Sequence, residues 1–193
     1  MTLIELLIAL ALFSMIILAA SSMQVFGHNQ LVTGQRRAKL QNELTILLGH
    51  MKRQALRTVG ASAAGPANGV AIIALGGYPS LQFYTDTTAA GGIGNGIRDA
   101  SPPDRWVAYL YRTDLHEVWY YPNAGSASPI LFGGAHEVIA NGITTIGWAI
   151  AANTNLVTLT GLEARWIPAQ ACGPANPCVV MDSAIYMPSL STN

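Results

Sequence analysis

Between Leu6 and Phe26 the chain carries only apolar side chains apart from Ser14, Ser21, Ser22 and Gln24. A helix needs about 20 such residues to cross the hydrocarbon core of a bilayer, so this segment confines the chain to architectures that begin with a membrane-length helix. A secretory signal peptide is the competing explanation, and Ala19 to Ser22 offers small residues of the kind such peptides are cleaved at. A signal peptide opens on a Lys/Arg-rich region, however, whereas here apolar sequence begins at once and carries a carboxylate, Glu5. Burying an unpaired charge in such a helix costs several kcal/mol, so Glu5 calls for a cation close to the helix start.

Past this stretch, Leu40, Leu44, Leu47, Leu48, Met51, Ala55, Leu56 and Val59 recur at spacings of three and four, the mark of an amphipathic helix with one apolar stripe. Gly60 opens a run of Gly, Ala, Ser and Pro that ends it. Residues 1–59 then make one helix about 85–90 Å long at 1.5 Å per residue. Its apolar part covers 1–27, its amphipathic part 28–59, and residues 60–193 form the head. Gly27 and Gly34 mark the weakest helical stretch, since each Gly costs roughly 1 kcal/mol relative to Ala, and a bend or local melt is expected there.

After the link Ala61 to Gly69, β-rich runs follow at Val70–Leu75, Leu81–Thr85, Trp106–Arg112, Leu115–Tyr121, Glu137–Ile139, Thr144–Ile150, Leu156–Leu159 and Leu162–Trp166. Val107, Tyr109 and Tyr111 alternate before Thr113-Asp114, with Leu115, Val118 and Tyr120 after it, which predicts a hairpin turning tightly at Thr113 and Asp114. A long N-terminal α-helix packed on an antiparallel β-sheet head is an α+β arrangement. Thr85 to Pro103 is long enough to be a functional or flexible surface loop.

Cys172 and Cys178 flank Gly173, Pro174 and Pro177, residues that favour a turn able to bring the two thiols together. A redox or metal pair wants C-x-x-C spacing or nearby His ligands, neither of which is present, so a small disulfide loop in an oxidising, extracytoplasmic compartment is expected.

The residues Met1-Thr2-Leu3-Ile4-Glu5-Leu6-Leu7-Ile8-Ala9-Leu10-Ala11 resemble the mature N-terminus of bacterial type IV pilins and type II secretion pseudopilins, with Met1 where Phe is commonest. In that family a prepilin peptidase cuts just before residue one, and the missing basic leader is what a processed chain would show. The resemblance implies a methylated, cationic amine at Met1, paired with Glu5 of a neighbouring subunit, with Thr2, Leu3 and Leu6 in the same assembly segment. It also implies a pilin fold, a single-pass stay in the inner membrane, then an extracellular homopolymer built with other pilin-like subunits and inner-membrane assembly machinery. Many pilins carry a helix-weakening Pro near position 22, where this chain has Ser22. The run Met51-Lys52-Arg53 through Arg57 to Gly60, with Leu162-Glu163-Ala164-Arg165, resembles the larger minor pilins and J-type pseudopilins. A minor or tip subunit that primes assembly or binds a ligand such as DNA is therefore the alternative, and a membrane-anchored enzyme the third reading.

Charged residues make up 10% of the chain and the formal net charge is zero, so the total charge points to no polyanionic partner. Arg36, Arg37, Lys39, Lys52, Arg53 and Arg57 do cluster on the helix with Glu43 as the sole acid, but aromatic stacking partners are lacking there and nucleic-acid binding is not expected. Gly92-Ile93-Gly94-Asn95-Gly96 lacks the Lys-Ser/Thr pair of a P-loop. His28, His50, His116 and His136 share no metal-ligand spacing, with His116 and Glu117 in a strand pattern that points them to opposite faces. Asp99 and Asp104 lack an EF-hand pattern, and no G-x-S-x-G elbow is present. Tyr109, Tyr111, Trp119, Tyr120 and Tyr121 alternate in the hairpin, so half of them belong to the core. No catalytic residue, metal or cofactor is expected.

Overall fold

The computed structural model describes residues 2–58, 69–86, 105–122, 135–150 and 156–187. Helix α1 runs Leu3–Leu56, a single span of 54 residues that continues through Gly27 and Gly34, so no local melt interrupts it there. It stops at Leu56, where Arg57 leaves the helical conformation; Thr58 then bridges to Thr85. Of the expected apolar stripe, Leu40, Leu44, Leu47, Met51 and Ala55 are buried and Leu48 is partly so. Leu56 is half exposed instead, and Val59 lies outside the described residues.

Eight strands follow: β1 Val70–Leu75, β2 Tyr78–Thr85, β3 Arg105–Arg112, β4 Glu117–Tyr121, β5 Glu137–Asn141, β6 Ile143–Ile150, β7 Leu156–Arg165 and β8 Cys178–Tyr186. They form two antiparallel sheets, β1-β2-β3-β4-β5 and β6-β7-β8, where a single sheet was expected. The division falls at Gly142, with φ of +74°, where a Cβ would sit 2.8 Å from the Arg165 carbonyl oxygen. Only glycine tolerates both the conformation and that approach. The junction is tied by Ile143 N–H to His116 O and Arg165 N–H to Gly142 O, both 2.9 Å.

Several strand limits differ from the periodicity. The two runs at 156–159 and 162–166 are one strand, β7, whose register against β8 shifts between Leu159 and Leu162 around Gly161 at φ +60°; Trp166 lies beyond its end. The β3–β4 turn spans Thr113 to His116 rather than two residues, so Leu115 and His116 belong to the turn, His116 with φ of +57°. Strand β8 was not expected at all: exposed and buried residues alternate along part of it, but Asp182 and Ser183 interrupt its apolar pattern.

α1 lies chiefly on β8 and β5, with further contacts to β2 and β7, so it covers both sheets. One core results, in which the helix stripe meets Phe83, Tyr109 and Val118 from the first sheet and Leu159, Leu162 and Ile185 from the second. Leu75, Ala108, Leu110 and Tyr121 form a smaller cluster on the opposite side of the first sheet. Tyr109, Tyr111 and Tyr120 are in the main core while Tyr121 is buried in the other, so more of the hairpin aromatics are buried than alternation implied. The link at 61–68 and the loop at 87–103, including Gly92 to Gly96 and Asp99, lie outside the described residues, as does Asp104.

Candidate functional site

The first half of α1 leaves the head and buries nothing. Every residue from Thr2 to Phe26 is exposed, with Leu3 at 80%, Leu18 at 74% and Met23 at 78%. The most apolar 18-residue window has a mean hydropathy of 2.7 and no buried member, so by length and composition this helix can cross a bilayer. Its apolar residues go all round the axis, so no single stripe could dock on the head as the Leu40–Ala55 stripe does. Each Leu, Ile or Phe left in water forgoes about 1.5–3 kcal/mol of burial, and twelve such side chains are exposed here. A segment of this kind needs lipid or other apolar helices around it.

Two serines of the segment bond back to its own backbone. Ser14 Oγ donates to Leu10 O at 2.7 Å and Ser22 Oγ to Ala19 O at 2.8 Å. Thr2, extended at φ −86° and ψ 153°, is the N-cap. Its backbone N–H donates to Glu5 Oε2 at 2.8 Å, while Glu5 N–H donates to Thr2 Oγ1 at 3.4 Å, a reciprocal capping box. Among the described residues the partner of Glu5 is thus a backbone N–H at the positive end of the helix. The Thr-x-x-Glu spacing of Thr2 and Glu5 is the sequence signature of that cap. Leu3 and Leu6, the other expected assembly residues, are exposed on the first turns beside this cap; Met1 lies outside the described residues.

Cys172 and Cys178 are joined by a disulfide, with their Cα atoms 5.6 Å apart. The loop they close is organised by Asn176, which is buried: its Oδ1 accepts from Ile167 N–H at 2.7 Å, and its Nδ2 donates to Ile167 O, Gln170 O and Ala171 O. The loop then grips the middle of α1. Thr33 Oγ1 donates to Pro174 O at 3.0 Å and Arg36 Nη1 to Ala175 O at 2.9 Å, while Trp166 lies under the cations of Arg36 and Lys39, each 5.4 Å from its ring centre. Glu163 Oε1 is 3.2 Å from Cys172 Sγ, but it is held by Arg165 Nε at 2.7 Å, and the sulfurs are bonded to each other rather than free as thiolates.

No protein-family model, curated protein or solved structure matches this chain.

The histidines do not converge. His28 is exposed on α1, His50 Nδ1 lies 2.7 Å from Tyr109 Oη, His116 occupies the β3–β4 turn, and His136 stacks on Trp119 at 3.9 Å. Burial pushes the His50 imidazole below its ordinary value, with Arg53 acting in the same direction and Glu137 opposing. Burial raises the Tyr109 hydroxyl far above its own, so it stays protonated and can donate to neutral His50. Asp114 pairs with Arg112, and Glu163 with Arg165; neither of these pairs involves the basic stretch of α1. What sequence reasoning missed was Asn176, Thr33 and Trp166, whose joint role depends on a loop 140 residues away meeting the helix, which no local pattern signals.

Proposed function

We propose that this chain is the structural subunit of a type IV pilus-like extracellular filament, held by one pass in the inner membrane and then polymerised through the apolar half of α1. The observation that carries this reading is the wholly exposed apolar half-helix, projecting from a packed head and bearing a single carboxylate at Glu5. A bilayer before assembly and a bundle of identical helices afterwards both remove that surface from water. The resemblance of Met1 to Ala11 to mature pilins supports the second environment, and on it Glu5 neutralises the terminal amine of a neighbouring subunit. Because the cap uses Glu5 Oε2, the second carboxylate oxygen remains open to such an amine among the described residues.

The test is filament yield after shearing from Glu5→Gln and Glu5→Ala, with membrane-fraction protein as the expression control. Glutamine can keep the capping box, so Glu5→Gln isolates the charge. Both variants are expected to lose most filaments at unchanged membrane level, since leaving one member of a buried ion pair alone costs about 3–5 kcal/mol. A membrane-anchored enzyme predicts the reverse for the anchor, which inserts better without the acid. Wild-type yield from Glu5→Gln would sink the pairing mechanism.

A further inference from the structure

We propose that the groove between the disulfide loop and α1 binds the headgroup phosphate of an anionic phospholipid while the subunit resides in the membrane; this rests on the reading of the apolar half-helix as a membrane span. The groove encloses about 710 Å³. On its helix side lie Phe26, Val32, Thr33, Arg36 and Arg37, and its other wall is Gly173 to Ala175.

Three features fit a phospholipid. The first is charge. Two guanidinium groups line the groove and no acid does. Arg37 has no partner among the described residues, and Arg36, whose guanidinium lies over Trp166, uses Nη1 for its hydrogen bond to Ala175 O and keeps its other N–H groups for a further acceptor. The loop carbonyls of Pro174 and Ala175 accept from Thr33 and Arg36, which offsets part of the negative charge they turn toward the groove. A cavity of about 300 Å³ at the helix–sheet junction, beside Lys39 and Trp166, is lined by Glu43 and by an Arg165 already paired with Glu163, and offers no comparable field.

The second is position. Leu3 to Phe26 rises about 35 Å, enough to traverse a hydrocarbon core of about 30 Å, so the polar residues after Phe26 enter the headgroup layer. Helical side chains lean toward the N-terminus of their helix, which here is the bilayer side, so the long side chains of Arg36 and Arg37 reach back toward the phosphates. The third is the apolar floor. Phe26 is 65% exposed and Val32 half-buried, so they give the glycerol end of a lipid an apolar surface in the same groove, on the N-terminal side of the two cations. A bidentate guanidinium suits a phosphate diester better than it suits an uncharged headgroup.

The experiment reconstitutes the full chain into phosphatidylcholine vesicles containing a minor fraction of phosphatidylglycerol, extracts it in mild detergent and counts retained lipids by native mass spectrometry. Wild type is expected to retain phosphatidylglycerol in preference to phosphatidylcholine. Arg37→Gln should lower that preference about fivefold and the Arg36→Gln, Arg37→Gln pair further, while Lys52→Gln, at the far end of the helix, should leave it unchanged. Reduction of the disulfide should weaken retention by loosening one wall. Equal retention of both lipids, or an Arg37→Gln variant that matches wild type, overturns the site. Displacement of phosphatidylglycerol by equimolar inorganic phosphate also overturns it, showing a phosphate site indifferent to lipid. Flotation separates the two readings: protein that floats with the vesicles but shows no preference refutes the lipid site alone, whereas protein that fails to float refutes the membrane span beneath it.

Discussion

His50 is the titratable group most tightly built into the joint between helix and sheet. It sits on α1 with its ring edge-on to Tyr120 at 4.6 Å and its Nδ1 against the Tyr109 hydroxyl. Charging the ring would place a cation near Arg53 in a half-buried site and turn Nδ1 from the acceptor of the Tyr109 hydroxyl into a donor facing it. With its folded value depressed, the folded state binds fewer protons than the unfolded one. Its stabilising contribution is therefore complete above the unfolded histidine value of about 6.5 and is lost as pH falls below that through the folded value. Urea midpoints are expected to drop between pH 7 and pH 5, and His50→Gln should flatten that drop; an equal drop in the variant would exclude His50. Glu163, lowered by its hydrogen bond from Arg165, loses its contribution only further down, in the carboxylate range, so the two windows are distinct. Little of this was legible beforehand. His50 could be placed among the helical residues from its spacing to Leu47 and Met51, but its hydroxyl partner lies 59 residues away on a strand.

At the scale of elements, the disulfide loop and α1 depend on each other. Closing a loop of this length stabilises the folded state by about 2 kcal/mol on the chain-entropy estimate. Replacing both Cys172 and Cys178 with Ala is expected to lower head stability by roughly that amount in urea, while the Asn176 hydrogen bonds retain part of the loop's shape. Intact mass with and without thiol alkylation gives the direct check: two alkylated cysteines in unreduced protein would remove the bond. The loop was foreseeable as a loop, because Gly173, Pro174 and Pro177 punctuate it. Its docking on Thr33 and Arg36 was not, since a polar stretch of helix gives no sign of which distant carbonyls it will meet. Strand β8 escaped notice for a related reason. Its exposed positions are Val180, Asp182, Ala184 and Tyr186 and its less exposed face includes Ser183, so apolar and polar residues do not alternate along it; Asp182 accepts from the Gly161 N–H at 2.7 Å, a bond that exists only once β7 and β8 are paired.

For the whole molecule the decisive feature is the division of α1 into a free half and a packed half. The buried helix residues begin at Leu40, so removing residues 1–27 deletes no core contact among the described residues. The truncated chain is expected to be soluble, folded and monomeric by size exclusion, with a urea midpoint close to that of the full-length head. Filaments formed by that truncated chain would take assembly away from the apolar helix. The extent of α1, its apolar and amphipathic halves, most of the strands and the cysteine loop were all set by local order along the chain, because hydrophobic periodicity and turn residues act over one or two turns or a single hairpin. Only the tertiary structure decided that the strands divide into two sheets at Gly142, that β8 completes the second and lies under the helix, and that the loop after β7 clasps α1 where its free half begins. These depend on contacts between residues far apart in the chain, whose energies come from close packing and paired polar groups and leave no periodic trace in the sequence.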